Sequence, residues 1–401
     1  MPQSLNPCRI SGTKNHSLSP LAHEPVSVAF TRPHSWLLDE MRLFVDGLEG
    51  HLQDFWADVE QSVWVGGTAD GNLHERTPYW LNGIVPGSVL LRDPRMLNAS
   101  RTYLEYVVSH ANSSSGWLGP QDDSLGGNAY WARFPLMLAM QAYAEYSALN
   151  GSAEGSSPAV MLDACIAHIR GAHMRMLTTP MGDSWSAARW MDYVLSTHWL
   201  LENYPGEQEQ LLWDAGELAQ QQGFDWGDWF LGPNFPQGSV NNNTTLFTHG
   251  VNNGQALKHA AVWWRQSHNA TLRSVSTAGV ARLFKYHGTV VGTFGADEHL
   301  AGKMPSRGTE LCTVVETQFS LNTIFSVQGE EALGLLDTVE RSALNAYPGE
   351  WTEDRWAHPY LEAVNEMQAV ISNPHVWVTD GPDSELYGLA PNYGCCTANG
   401  I

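Results

Sequence analysis

"PLMLAMQAYAEYSALNG", residues 135–151, is the stretch that settles the class of fold. A proline opens it, good helix formers fill it, and Asn150-Gly151 ends it, so both ends of one helix are signalled. The same period recurs elsewhere. Leu37, Met41, Phe44 and Leu48 form a stripe, and so do Leu162, Cys165, Ile166 and Ile169, which places Cys165 in a core. Leu211, Ala215 and Leu218, then Ala332, Leu335, Leu336 and Val339, repeat the pattern. Strand-like alternation is scarce, and Gly/Pro/Asn-rich stretches such as "SSSGWLGPQDDSLGG" and "DWGDWFLGPNFPQGSVNNN" join the helices. Helices that each bury one face, tied by elaborate loops, suit an all-α helical toroid with a cleft built from those loops. Trp117, Trp131, Trp226, Trp229, Trp351 and Trp356 lie in these loops. Each offers a flat face for stacking on sugar rings or, more simply, fills the core.

The chain has 401 residues, with 21 Lys and Arg against 42 Asp and Glu, a net charge of −21. That balance argues against nucleic acid and anionic membrane surfaces as partners. No apolar run approaches the ~20 residues of a membrane span, and no signal peptide is visible. Seven N-x-[ST] sequons, at Asn15, Asn98, Asn112, Asn150, Asn242, Asn243 and Asn269, nevertheless point to a secreted glycoprotein. Residues 1–30 read as a poorly ordered N-terminal segment and residues 31–401 as one helical domain.

Chemistry is concentrated late in the chain. Adjacent Cys395 and Cys396 are poorly placed for a disulfide, because neighbouring Cα atoms sit about 3.8 Å apart, closer than a bridge usually allows. Two neighbouring thiols can instead converge on one metal ion. Upstream, "SRGTELCTVVE" supplies Glu310 and Cys312 at what reads as a helix entry. One carboxylate and three thiolates suit tetrahedral zinc, and a helix N-terminus favours the thiolate. The bland alternative is a buried Cys312 and a solvated Glu310. Asp297-Glu298 precedes them in a Gly-flanked loop and offers a carboxylate for general acid and base work. His249, just ahead of a helical stretch, can hydrogen-bond a substrate or simply be structural.

The blocks "GWLGPQDD", "THGVNNGQALKHAAVWW", "ADEHLAG", "RGTELCTVVE", "TEDRWAHPYLEAVNE" and "GLAPNYGCCTAN" together resemble the β-L-arabinofuranosidase-like glycoside hydrolases of family 127. The resemblance implies an (α/α)6-barrel catalytic domain followed by β-sandwich domains. It implies zinc held by Glu310, Cys312, Cys395 and Cys396, with Cys395 as nucleophile and Glu298 as acid/base in a retaining mechanism. His249, Trp356, Tyr360 and Asn365 are its substrate-binding candidates. The spacing from Glu298 to Glu310 departs from the family pattern, which leaves Asp297 as a second acid/base candidate. Only "TANGI" follows the cysteine pair here, so the barrel is expected to be incomplete at its C-terminus, with apolar surface exposed near residues 385–401. Two other readings accompany the glycosidase. One is a non-catalytic, zinc-stapled helical domain that binds glycans, and the other a toroid lyase or unsaturated-sugar hydrolase that needs no metal thiolate.

Overall fold

The computed structural model describes residues 17–150, 156–364, 369–377, 381–389 and 394–400. The 135–151 stretch is helical as expected, in a helix running Arg133–Asn150. It begins ahead of Pro135, because a proline in the first turn removes only a donor that has no partner there.

Five helices stand side by side as an inner ring. Arg76–Leu91 packs on Arg133–Asn150, which packs on Trp190–Asn203; this packs on His259–Ser267. His259–Ser267, with Gly250–Ala256 just before it, packs on Leu311–Gln328. Each inner helix carries an outer one: Pro94–Ser109, Pro158–Met176, Glu209–Gln222, Thr271–His287 and Gly334–Arg341, in chain order. The ring closes through a five-residue helix, Cys395–Asn399, which packs on both Arg76–Leu91 and Leu311–Gln328. The fold is a helical toroid.

The two rings differ in chemistry. The outer Glu209–Gln222 helix buries Leu212, Trp213, Ala215, Gly216 and Ala219, one stripe. Leu162, Cys165, Ile166 and Ile169 all face the core in Pro158–Met176, and burial pushes the Cys165 thiol up to about 12. The Trp36–Asp46 stripe turns inward only at its end. Leu37 is exposed, whereas Phe44 packs on Tyr347 and Trp351, and Leu48 is fully enclosed. Inner helices are buried nearly all round and carry polar groups into the barrel. Lys258 Nζ sits 2.8 Å from Asp192 Oδ1, both buried. Gln255 Nε2 donates to Glu316 Oε1 (2.9 Å), and Asn399 Nδ2 donates to the same oxygen (3.2 Å).

Trp117, Trp131, Trp226 and Trp351 are core residues, at most 5% exposed. Residues 17–30, where described, are tied to the body by main-chain bonds from Ser19 to Arg265 and from Ala22 and His23 to Ser326. Tyr387 and Leu389 are exposed at the other end of the chain, while Cys396 and Ala398 are buried. Strands are few. One four-stranded sheet of short segments, in the order β2-β1-β3-β4, comprises β1 (Ala296–Asp297), β2 (His299–Leu300), β3 (Gly308–Glu310) and β4 (Leu361–Ala363).

The buried Lys258–Asp192 pair gives a direct test. Lys258→Ala strands a carboxylate in the barrel and should cost about 3–5 kcal/mol in denaturant unfolding. Replacing both partners, Lys258→Met with Asp192→Leu, should recover most of that loss. An unchanged midpoint for Lys258→Ala would show that the pair contributes nothing to the fold.

Candidate active site

Glu298 is the single residue between β1 and β2, whose register pairs Asp297 with His299 across it. A turn this tight forces it into the left-handed region, φ 65°. That conformation costs a non-glycine residue about 1 kcal/mol or more, so the surroundings must impose it. They do so from both sides: Gly250 N–H donates to Glu298 O (2.8 Å), and Glu298 N–H donates to Glu310 Oε1 (3.1 Å). The approach of β1 to the Gly250–Ala256 helix is close enough that a Cβ on residue 250 would collide with Ala296.

The strained backbone aims the Glu298 carboxylate at two donors. His249 caps the Gly250–Ala256 helix, its Nδ1 accepting from Asn252 N–H (3.2 Å). Nε2 therefore carries the ring proton, and it lies 2.9 Å from Glu298 Oε2. Tyr360 O–H lies 2.6 Å from Glu298 Oε1 and 2.9 Å from Glu310 Oε2, so it bridges two carboxylates. Burial pushes the Glu298 carboxyl up, but the bonds from His249 and Tyr360 outweigh it and hold the group below its ordinary value. Trp185 stands edge-on to His249, ring centroids 4.8 Å apart. Asp297 is committed elsewhere. It is fully buried in a two-pronged pair with Arg307, which also donates to Ser239 Oγ (2.6 Å) and Asn241 Oδ1 (2.9 Å). Burial raises its carboxyl to about 6 against the pull of that guanidinium.

The thiols form the second half of the site. Sulfurs of Cys312, Cys395 and Cys396 lie within 4.8 Å of one another. Cys312 sits in the first turn of Leu311–Gln328, and its N–H points at Cys396 Sγ (3.5 Å). Hydrogen bonds from Cys312 and Cys396, with the Arg76 guanidinium, hold the Cys395 thiol well below its usual range. Burial pushes the other two thiols well above it. Of the three thiols, Cys395 is thus the one whose surroundings favour the thiolate. Arg76 opens the Arg76–Leu91 helix, buried, with Glu75 Oε1 at 3.7 Å and Asp58 Oδ2 at 3.9 Å. Nothing in "HERTPYW" marks this arginine as special, because its role comes from ring closure, which brings residue 395 to residue 76.

The chain shares its fold with the family-127 β-L-arabinofuranosidases. A GH127 β-L-arabinofuranosidase from Geobacillus stearothermophilus T6 superposes with a TM-score of 0.58 at 11% identity, over 90% of this chain and 62% of that enzyme. A second GH127 β-arabinofuranosidase gives 0.60 at 12% identity, over 96% and 61%. This chain therefore spans less than two thirds of either enzyme. A polysaccharide lyase matches at 0.52 and 12% identity, over 90% of this chain and 97% of its own. No family model and no curated protein matches the sequence.

Of the sequence-derived residues, the structure gathers Cys312, Cys395 and Cys396 in one group and His249, Glu298 and Glu310 in an adjoining one. Tyr360 joins the second group. Trp356 instead stacks on His51, centroids 5.2 Å apart. Asn365 lies outside the described residues. The donor chemistry fits a thiophilic metal: sulfurs sharing a tetrahedral zinc stand about 3.8 Å apart, within the spread seen here. Cys312, Cys395 and Cys396 would hold it, with Glu310 the nearest oxygen-donor candidate in sequence. Elemental mass spectrometry should find one zinc per chain, and Cys312→Ser should reduce it to a small fraction. Full zinc in that variant would place the metal elsewhere.

Proposed function

We propose that this chain is the catalytic region of a retaining glycoside hydrolase acting on β-L-arabinofuranosides or related plant-type glycans. The observation that supports it most is the hydrogen-bonded carboxylate of Glu298 close to a cluster of three thiols, Cys312, Cys395 and Cys396. The toroid shared with two arabinofuranosidases supports the substrate class. When bound, zinc would supply the charge that keeps the cluster's sulfurs deprotonated.

In this reading the Cys395 sulfur attacks the anomeric carbon as the glycosidic C–O bond breaks, and the leaving oxygen takes a proton from Glu298. Glu298 then removes a proton from water, whose oxygen displaces the sulfur and returns Cys395 as thiolate. Two inversions at one carbon retain configuration. His249 and Tyr360 position the Glu298 carboxylate and disperse its charge in the base half of the cycle. In the acid half Glu298 must first take up one proton. The exposed sequon residues Asn98, Asn242, Asn243 and Asn269 support secretion, which a mass loss on enzymatic deglycosylation of protein from a eukaryotic secretory host would test.

A second reading rests on the lyase that matches over 97% of its own length. There His249 and Tyr360 would exchange the protons of an elimination on a uronate-containing polysaccharide, giving an unsaturated, ultraviolet-absorbing product. Aryl β-L-arabinofuranosides and such polysaccharides, assayed side by side, separate the two; activity on neither favours a non-catalytic glycan-binding domain. For the hydrolase, Cys395→Ser should reduce turnover to background with the circular dichroism spectrum intact. Glu298→Gln should slow substrates with poor leaving groups about 10²–10⁴-fold and activated aryl glycosides far less. Equal losses on both would remove Glu298 as the acid/base.

A further inference from the structure

A cavity of about 400 Å³ opens where the start of Trp190–Asn203, the end of Glu209–Gln222 and the starts of Trp226–Leu231, His259–Ser267 and Thr271–His287 come together. That is within the size range of small-molecule sites. None of its lining residues belongs to either cluster of the candidate active site.

Its walls have a definite chemistry. Trp190 and Trp263 meet at 86° with centroids 6.3 Å apart, forming an aromatic corner, and Phe224 extends the apolar wall. Trp190 is committed through its N–H to Phe224 O (3.2 Å), and Gly223 lies flat against its ring, where any side chain would collide. Trp263 is half-buried, and its indole N–H finds no acceptor among the described residues. The amide of Gln220 is equally uncommitted. On the floor, His259 Nδ1 lies 2.7 Å from Ala256 O. A carbonyl only accepts, so Nδ1 carries the proton and Nε2 is a bare acceptor, buried without a partner. Burial keeps this ring neutral, its pKa lowered to about 4. Nε2 sits beneath the Asp225–Gly227 turn, 3.7 Å from where a Gly227 Cβ would be.

No lysine or arginine lines the cavity, and the one carboxylate, Asp225, already accepts from Asp228 N–H (2.9 Å). An anion finds no counter-charge there, and a purely apolar ligand would leave the polar groups unmatched. A neutral ligand with one flat apolar face and several hydroxyls matches both sets of groups. We propose that this groove, framed by Trp190, Trp263, Gln220 and His259, is a second binding site for a neutral oligosaccharide, separate from the thiol cluster. A sugar ring would rest against Trp263, with its hydroxyls meeting the Trp263 N–H and the Gln220 amide.

The test is calorimetric titration of the whole chain with arabinan-derived and xylan-derived oligosaccharides of two to four units, paired with hydrogen exchange. At least one series should bind saturably and protect segments 220–227 and 259–272. Trp263→Ala should weaken that binding about tenfold, since a lost stack with its hydrogen bond approaches the 1.4 kcal/mol that a factor of ten represents. Gln220→Ala, half-buried and safe for folding, should weaken it about threefold, and Cys395→Ser should leave it unchanged. Protection confined to segments 296–312, affinities unchanged by both groove substitutions, or no saturable binding by either series would overturn the proposal. Because Cys395→Ser keeps this groove while removing the proposed nucleophile, a failure of one reading is distinguishable from a failure of the other.

Discussion

Closure of the ring is the constraint on which the rest depends. Five inner helices side by side leave two open faces, on Arg76–Leu91 and Leu311–Gln328. The five-residue helix Cys395–Asn399 fills the gap, burying Cys396, Thr397 and Ala398. So short a helix has little intrinsic stability, and tertiary bonds hold it. His358 Nε2 and Thr397 Oγ1 stand 3.0 Å apart, Asn399 reaches Glu316, and Tyr347 O–H donates to Gly400 O (2.7 Å). The same closure brings residues 312, 395 and 396 together. The thiol cluster is therefore assembled by the same segment that completes the toroid.

Electrostatics add a second organising rule. Gly250–Ala256, Leu311–Gln328 and Arg76–Leu91 all begin near the site, and the positive ends of their dipoles face Glu298, Glu310 and the Cys395 sulfur. With Arg76, these ends offset what would otherwise be a crowd of negative groups in a chain of net charge −21. Arg189 extends the arrangement, donating to Asn252 Oδ1 (2.8 Å) and Tyr79 O–H (3.0 Å) while lying over the rings of Trp131 and Trp185. The positive charge at the barrel mouth is thus rigid, held in place by aromatic faces on the protein side.

What was legible in the sequence follows from which surfaces face water. Outer helices such as Pro158–Met176 have a wet face and a dry one, so Leu162, Cys165, Ile166 and Ile169 stand out as a stripe. Leu311–Gln328 is dry on nearly every face and also carries Glu316, Thr317 and Ser320 inward, so periodicity is lost and its polar residues read as surface. Glu310, Cys312, Cys395 and Cys396 were visible because thiols and carboxylates are chemically marked wherever they sit. Arg76 acquires its place only through a contact distant in sequence, with Cys395, and no local pattern announces it. Of the loop tryptophans, the core had the stronger claim: a large ring between helices excludes more water than one at a loop tip.

The left-handed backbone at Glu298 puts two kinds of selection in opposition. A glycine there would adopt φ 65° without strain, yet the carboxylate between His249 and Tyr360 would be gone. The backbone strain alone gives no reason to keep a glutamate at such a position. The strain at position 298 is thus tolerated where the carboxylate is held by two donors, and the geometry of the turn and the placement of the acid group are one feature.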